Sequence, residues 1–450
     1  MTTKPAADRA PLTYGQLSVW RVMTDWPPDR WPETYLSTVV PVSPDCSLTS
    51  VTTALHTLCA RHESLRTRFA DTPHGPEQHI MPVADTVDVA VDERPGATRA
   101  EAEAAGRERA GQPIDREKDF ARRFTVVTDG GRPAYAVIVV DHIVADGYGL
   151  ARLRAEAAAL MGADDPDGKR RLDETPPQPR DLARLQRSEA QRPRREAALG
   201  YWRGLLRTLP ADLFPVPDRD GHHPGRIEAV LQSPGARAAL GTAARRLGVP
   251  PQGVLLALTS LATAAVTGTG QVVHTLQSSN RFTTPWRTIV SSMNQYVPLP
   301  LEPGAVPFAR YARHVHGAAL KAYRFGTYDI DAVTDLVRTE RGIVLGFDHF
   351  YNFMAHDVPT GPEESDPGPR RIEATRPYRQ IGPRFDVKVR GGPDMPLVVR
   401  ADPALLPQPG LHALLAWYDD ELRRLAADGG TMTDALLATC RSALSAEAAR

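Results

Sequence analysis

The sequence predicts a mixed α and β protein of the α/β or α+β class, folded as two lobes. Three observations carry that reading. The run "RRFTVVTDGGRPAYAVIVV" holds two strand-like segments joined by Asp129-Gly130-Gly131, a strong hairpin signal. Segments such as 47–62 and 147–162 carry helical spacing or composition instead. Between the lobes, "GADDPDGKRRLDETPPQPR" at 162–180 is charged and proline-rich without apolar periodicity, as a linker would be. The lobes are therefore expected at residues 1–170 and 171–450, and 450 residues exceed what one typical core organises.

In the first lobe, Val51, Leu55, Leu58 and Cys59 fall at helical spacing behind Ser and Thr caps, and "SLRTRF" then turns extended. An Ala- and Glu-rich helix is expected over 99–111, then the hairpin, then a helix through "YGLARLRAEAAALMG" that stops at Gly162. The second lobe reads as a helix near 190–208, a strand near 226–233 and helices within 235–266. Strands follow near 271–277, 343–354 and 384–390, with a last helix over 409–427. Residues 355–383, rich in Pro, Gly and charge, are expected to be a mobile loop.

Composition excludes several roles. Lys and Arg total 54 and Asp and Glu total 54, so no net charge points to a nucleic acid or an anionic membrane. Cys46, Cys59 and Cys440 are far apart and unpaired in pattern, which argues against a disulfide framework or a structural metal site and for a reducing cytoplasmic setting. The N-terminal residues lack the apolar core of a signal peptide. The longest apolar stretch, 253–266, falls short of the roughly 20 residues of a membrane helix and reads as a buried helix.

No GxSxG elbow, phosphate-binding loop, GxGxxG turn or HExxH helix is present. His222 and His223 sit in a polar loop with no third ligand in view, His314 and His316 lie in a helical stretch that suits packing, and His349 and His356 flank "FYNFMA" without a defined role. His142 differs. The apolar run "YAVIVV" delivers it to a strand end, with Asp141 before it and Asp146 and Gly147 after it. An imidazole there can take a proton from an amine or hydroxyl if its other nitrogen is held. The same residues also read as a capping turn, with Asp146 as N-cap and His142 as an interfacial side chain. The segment alone leaves both readings open.

"DHIVADG" resembles the HHxxxDG motif of nonribosomal peptide synthetase condensation domains, in the superfamily that includes chloramphenicol acetyltransferase. Other segments follow in that family's order: "PLTYGQLSVW" (11–20), "RHESLRTRF" (61–69), "QPIDREKDFARRF" (112–124), "YWRGLLRTLP" (201–210), "SSNRFTTPW" (278–286), "SSMNQYVPLPL" (291–301), "FDHFYNFM" (347–354) and "RFDVKV" (384–389). The likeness runs over roughly residues 11–430. It implies two chloramphenicol-acetyltransferase-like lobes in a V-shaped pseudodimer with a central active-site tunnel. It further implies a thioester substrate on the phosphopantetheine arm of an acyl or peptidyl carrier protein, with no cofactor or metal held by the chain itself.

By position, His142 matches the catalytic histidine, Asp146 and Arg281 an ion pair that holds the motif, and Gly147 the glycine of a close turn. Asn352, Gln295 and Tyr148 fall at substrate-binding positions. Two departures stand out: Asp141 replaces the first motif histidine, and Gln295-Tyr296-Val297 replaces Asn-Thr-Leu. Strand alternation would turn Asp141 away from the side that His142 faces.

The expectation is a free-standing condensation enzyme, with a carrier protein in trans and a small amine or alcohol acceptor, forming an amide or ester in natural-product biosynthesis. A degenerate condensation-like module that recruits other enzymes to a carrier protein is the second reading.

Overall fold

A computed structural model describes residues 8–162, 172, 174–209, 225–343, 346–355, 358, 369–377, 380 and 382–448. The chain forms two compact units, each discontinuous in sequence. The first takes Met1–Ala197, Ser279–Gln295 and Thr327–Ile330; the second takes Ala198–Ser278, Tyr296–Gly326 and Asp331–Arg450.

The first unit is organised by the expected hairpin. Arg122–Asp129 and Arg132–Val140 pair antiparallel around Gly130 and Gly131, whose φ values of 56° and 79° are the left-handed conformation a two-residue turn demands. Leu36–Pro41 adds antiparallel on one side and Ala90–Glu93 adds parallel on the other, giving four strands. Side chains alternate across this sheet. Val137 and Val139 meet Ala102 and Ala105 of helix Arg99–Ala110, while Ala136, Ile138 and Val140 enter the core under helices Leu48–Arg61 and Gly147–Leu160. Because both faces are covered, the strand that leads to His142 reads as an unbroken apolar run. A second sheet of three short strands comprises Asp8–Pro11, Glu77–Ile80 and Thr67–Ala70.

The second unit has a seven-stranded sheet in the order Gln295–Leu301, Val272–Ser278, His349–Phe353, Phe385–Val389, Leu397–Ala401, Ile227–Gln232 and Arg371–Thr375. The middle pairs around His349–Phe353 are parallel and the pairs from Phe385–Val389 outward are antiparallel. Helix Pro251–Thr267 carries the longest apolar stretch, and Val254 through Ala262 are buried, as expected. Among the described residues no single helix is long and apolar enough to cross a membrane.

Several elements depart from expectation. The expected loop at 355–383 contains the strand Arg371–Thr375, held at the sheet edge by pairing with Ile227–Gln232 rather than by apolar periodicity. The expected strand at 343–354 begins only at His349. Helices Pro179–Arg187, Ile330–Arg341 and Thr433–Ala448 lie outside the expected ones, and the first of them starts inside the expected linker. Residues 163–171 and 173 of that linker lie outside the described residues, as do His222, His223 and His356.

Candidate active site

The strand Arg132–Val140 ends where Asp141 begins a turn closed by a Val144 N–H to Asp141 carbonyl bond of 2.9 Å. Helix Gly147–Leu160 starts six residues after Asp141. His142 is half-buried on this turn, and its Nδ1 lies 3.4 Å from the Ser292 hydroxyl oxygen.

Asp146 is fully buried and serves four donors. Its Oδ1 accepts from the Gly149 N–H at 2.9 Å, which caps the helix, and from Arg281 Nη2 at 2.7 Å. Its Oδ2 accepts from Arg281 Nε at 3.3 Å and from the Met293 N–H at 3.1 Å. Arg281 spends its remaining hydrogens on the carbonyls of Arg287, Ile289 and Ser291. One carboxylate and one guanidinium thereby tie the start of the helix to the segment 279–295, and with it fix Ser292 against His142.

Asp141 points elsewhere. Its carboxylate, fully buried, takes Arg116 Nε at 2.8 Å and Nη2 at 3.1 Å, and Oδ1 also accepts the Ile143 N–H at 2.9 Å. Arg116 touches Met23 Sδ and lies over the rings of Trp31 and Trp20, with its carbon 4.8 and 5.7 Å from the centroids. The direction of Asp141 is set by this partner and by the turn, since the residue lies just past the strand and strand alternation does not govern it.

Gly147 has no positive φ, and a Cβ there would meet nothing within 4 Å, so neither backbone conformation nor space demands a glycine at this position. The tight glycines are others. A Cβ on Gly149 would lie 3.2 Å from the Ala145 Cβ. One on Gly15 would lie 2.3 Å from the Ser292 carbonyl oxygen. Gly15 sits in helix Tyr14–Thr24, whose start carries a capping box between Thr13 and Gln16. The "PLTYGQ" segment thus brings a side-chain-free helical turn against the backbone of the residue that faces His142.

Gln295 is buried, and its amide is engaged: Nε2 donates to the Tyr328 carbonyl at 2.7 Å and to Ser18 Oγ at 3.1 Å, while Oε1 accepts from the Tyr328 N–H at 3.3 Å. Tyr148 is exposed in the first helical turn, with Arg281 over its ring at 5.7 Å. Asn352, in the second unit, donates from Nδ2 to Gln277 Oε1 at 2.7 Å. Arg116, Ser292 and Gly15 were not singled out from sequence. Each lies within a motif segment, but the contact that gives it meaning reaches a residue at least 25 positions away.

The fold and this braced histidine define a class of protein. The family model described as the condensation domain matches residues 33–391. A relative from Metarhizium robertsii, nonribosomal peptide synthetase dtxS1, is 26% identical over 354 residues, which is 74% of this chain and 4% of the relative. The chain spans between 1% and 4% of the length of the first curated relatives it matches. Among solved structures, the condensation domain of the Monacolin K polyketide synthase MokA superposes with a TM-score of 0.74 at 18% identity, covering 95% of this chain and all of that one. The X-domain solved with OxyB from teicoplanin biosynthesis gives a TM-score of 0.69 at 20% identity, covering 97% of each chain. The chain belongs to the condensation-domain family.

Proposed function

We propose that the chain joins an acyl or aminoacyl group, carried as a thioester on the phosphopantetheine arm of a carrier protein, to an amine or alcohol acceptor. The observation that carries this reading is the brace around His142. With Nδ1 protonated toward Ser292 Oγ, the lone pair sits on Nε2, where it can take the acceptor's N–H or O–H proton. The acceptor's nitrogen or oxygen then bonds to the thioester carbonyl carbon, the C–S bond breaks, and the proton passes from the imidazole to the departing thiolate. Asp146 and Arg281 act as positioning residues. Gly147, with open space where a side chain would stand, keeps the front of the helix clear, and Gln295 holds the segment behind Ser292. Asn352 and Tyr148 are assigned to substrate contact.

The assay is product formation from a carrier-bound donor, followed by mass spectrometry, comparing the wild type with His142→Ala. Loss of product in the variant is expected, and undiminished turnover would sink the base assignment. A second reading, a module that recruits partner enzymes to a carrier protein, draws on Asp141 in place of the first motif histidine and on the likeness to an X-domain solved with OxyB. No product with any donor, together with retained carrier-protein binding, would favour it.

A further inference from the structure

A cavity of about 520 Å³ opens on the first unit, and its lining is unusual in charge. Its floor holds the half-buried side chains of Arg66, Arg68 and Arg122, whereas Lys118, Asp88 and Asp119 stand exposed at the rim. Arg68 and Arg122 share one aromatic ring: their guanidinium carbons lie 5.4 and 5.1 Å from the centroid of Phe120. Arg122 gives its Nε to the Leu65 carbonyl at 2.7 Å, and neither of its terminal nitrogens has a partner among the described residues. The Arg68 side chain has no hydrogen bond among them, and its Nε is shielded from solvent. Neither arginine has a carboxylate within ion-pair distance among the described residues.

Two guanidinium groups held in a partly desolvated wall without an anion are costly, and burial lowers the affinity of Arg122 for its proton. Val87, Ile114, Cys59 and the ring of Phe120 add apolar surface to the wall, beside the polar His56, Thr86 and Arg123. Asp88 and Asp119 oppose an incoming anion, but from the exposed rim, where water weakens their field more than it weakens that of the floor.

We infer that this cavity binds an organic oxyanion, a phosphate or carboxylate bearing a small apolar group, between Arg68 and Arg122. The planar, multi-donor fork of arginine suits such anions, and Phe120 and Val87 cover the remainder of the ligand.

Isothermal titration of the intact chain at fixed ionic strength tests the inference with three probes: inorganic phosphate, phenyl phosphate and benzoate. Saturable binding of at least one aryl probe is expected, and phenyl phosphate against benzoate separates the phosphate source from the carboxylate one. Arg68→Gln and Arg122→Gln should each weaken binding at least tenfold. Arg68→Gln removes no hydrogen bond, so it is the variant least exposed to misfolding. Arg99→Gln, on the exposed helix away from the cavity, should leave binding unchanged. Absence of saturable binding with every probe, or equal weakening by Arg99→Gln, would overturn the site.

Discussion

Asp141 and Arg116 face each other as a two-point ion pair, 2.8 and 3.1 Å long, with both side chains shut off from solvent. The replacement of a motif histidine by an acid is therefore accompanied by a buried cation. Putting histidine back at position 141 alone would set an imidazole against an uncompensated guanidinium. Asp141→His is expected to lower stability by about 3–5 kcal/mol, the usual cost of breaking a buried pair. Adding Arg116→Gln should recover a large part of it. Denaturant unfolding of the two single variants and the double variant reads the coupling, and additive effects would contradict it.

The clasp at the motif should behave alike. Asp146→Asn leaves Arg281 buried without a counter-charge and weakens the helix cap, so a loss of about 3–5 kcal/mol is expected. Arg281→Lys cannot reproduce the fork and should fall between the variant and the wild type. The midpoint of urea unfolding checks both.

Ser292 touches the proposed base through one 3.4 Å contact. Ser292→Ala is expected to lower kcat by about tenfold, equivalent to roughly 1.4 kcal/mol, with the melting temperature and KM little changed. A fall in melting temperature matching the fall in rate would instead mark Ser292 as structural only.

Gly15 has no room for a methyl group: its Cβ would stand 2.3 Å from the Ser292 carbonyl oxygen and 2.7 Å from the Met293 Cα. Both neighbours are backbone. Gly15→Ala should cost about 1–3 kcal/mol by overpacking and reduce turnover by moving Ser292. Gly147→Ala, which meets open space, should leave stability nearly unchanged.

His274 lies fully buried in strand Val272–Ser278, with neither ring nitrogen hydrogen-bonded among the described residues. Burial, and secondarily the nearby His349, lower its pKa from 6.5 to about 3. The native state holds it neutral, so its contribution is complete above pH 6.5 and is lost as the pH falls from 6.5 toward 3. Between pH 7 and pH 4.5 this one group should remove about 2–3 kcal/mol. Denaturation of His274→Leu at the two pH values should show a smaller difference than the wild type, and an equal one would refute the assignment.

The sequence was most legible where structure is local. The Asp129-Gly130-Gly131 turn, the buried helix around 253–266 and the N-cap role of Asp146 depend on neighbours within a few positions, and each stands as read. Fold class and family were carried by ordered motifs, which the condensation-domain match over residues 33–391 bears out. What stayed hidden depends on distant partners. The edge strand Arg371–Thr375 has exposed, charged residues and exists because Ile227–Gln232 offers a free edge. Arg116 is one of many arginines in the sequence, and only its buried pairing with Asp141, 25 positions on, distinguishes it. The glycine that matters sterically beside the motif is Gly15, more than 120 positions earlier, and no local spacing could nominate it over Gly147.

The clasp between Asp146 and Arg281 also has a consequence for how the chain becomes native. Its two ends are 135 positions apart, and residues Ala198–Ser278 of the other unit are synthesised between them. The first unit cannot finish when its own first stretch leaves the ribosome; the histidine's turn waits, without its Arg281 partner, for a segment that follows Ala198–Ser278 of the second unit. Closing so long a loop favours slow, late ordering of the motif. The geometry around His142 thus depends on a segment that enters the chain only after Ala198–Ser278 of the second unit.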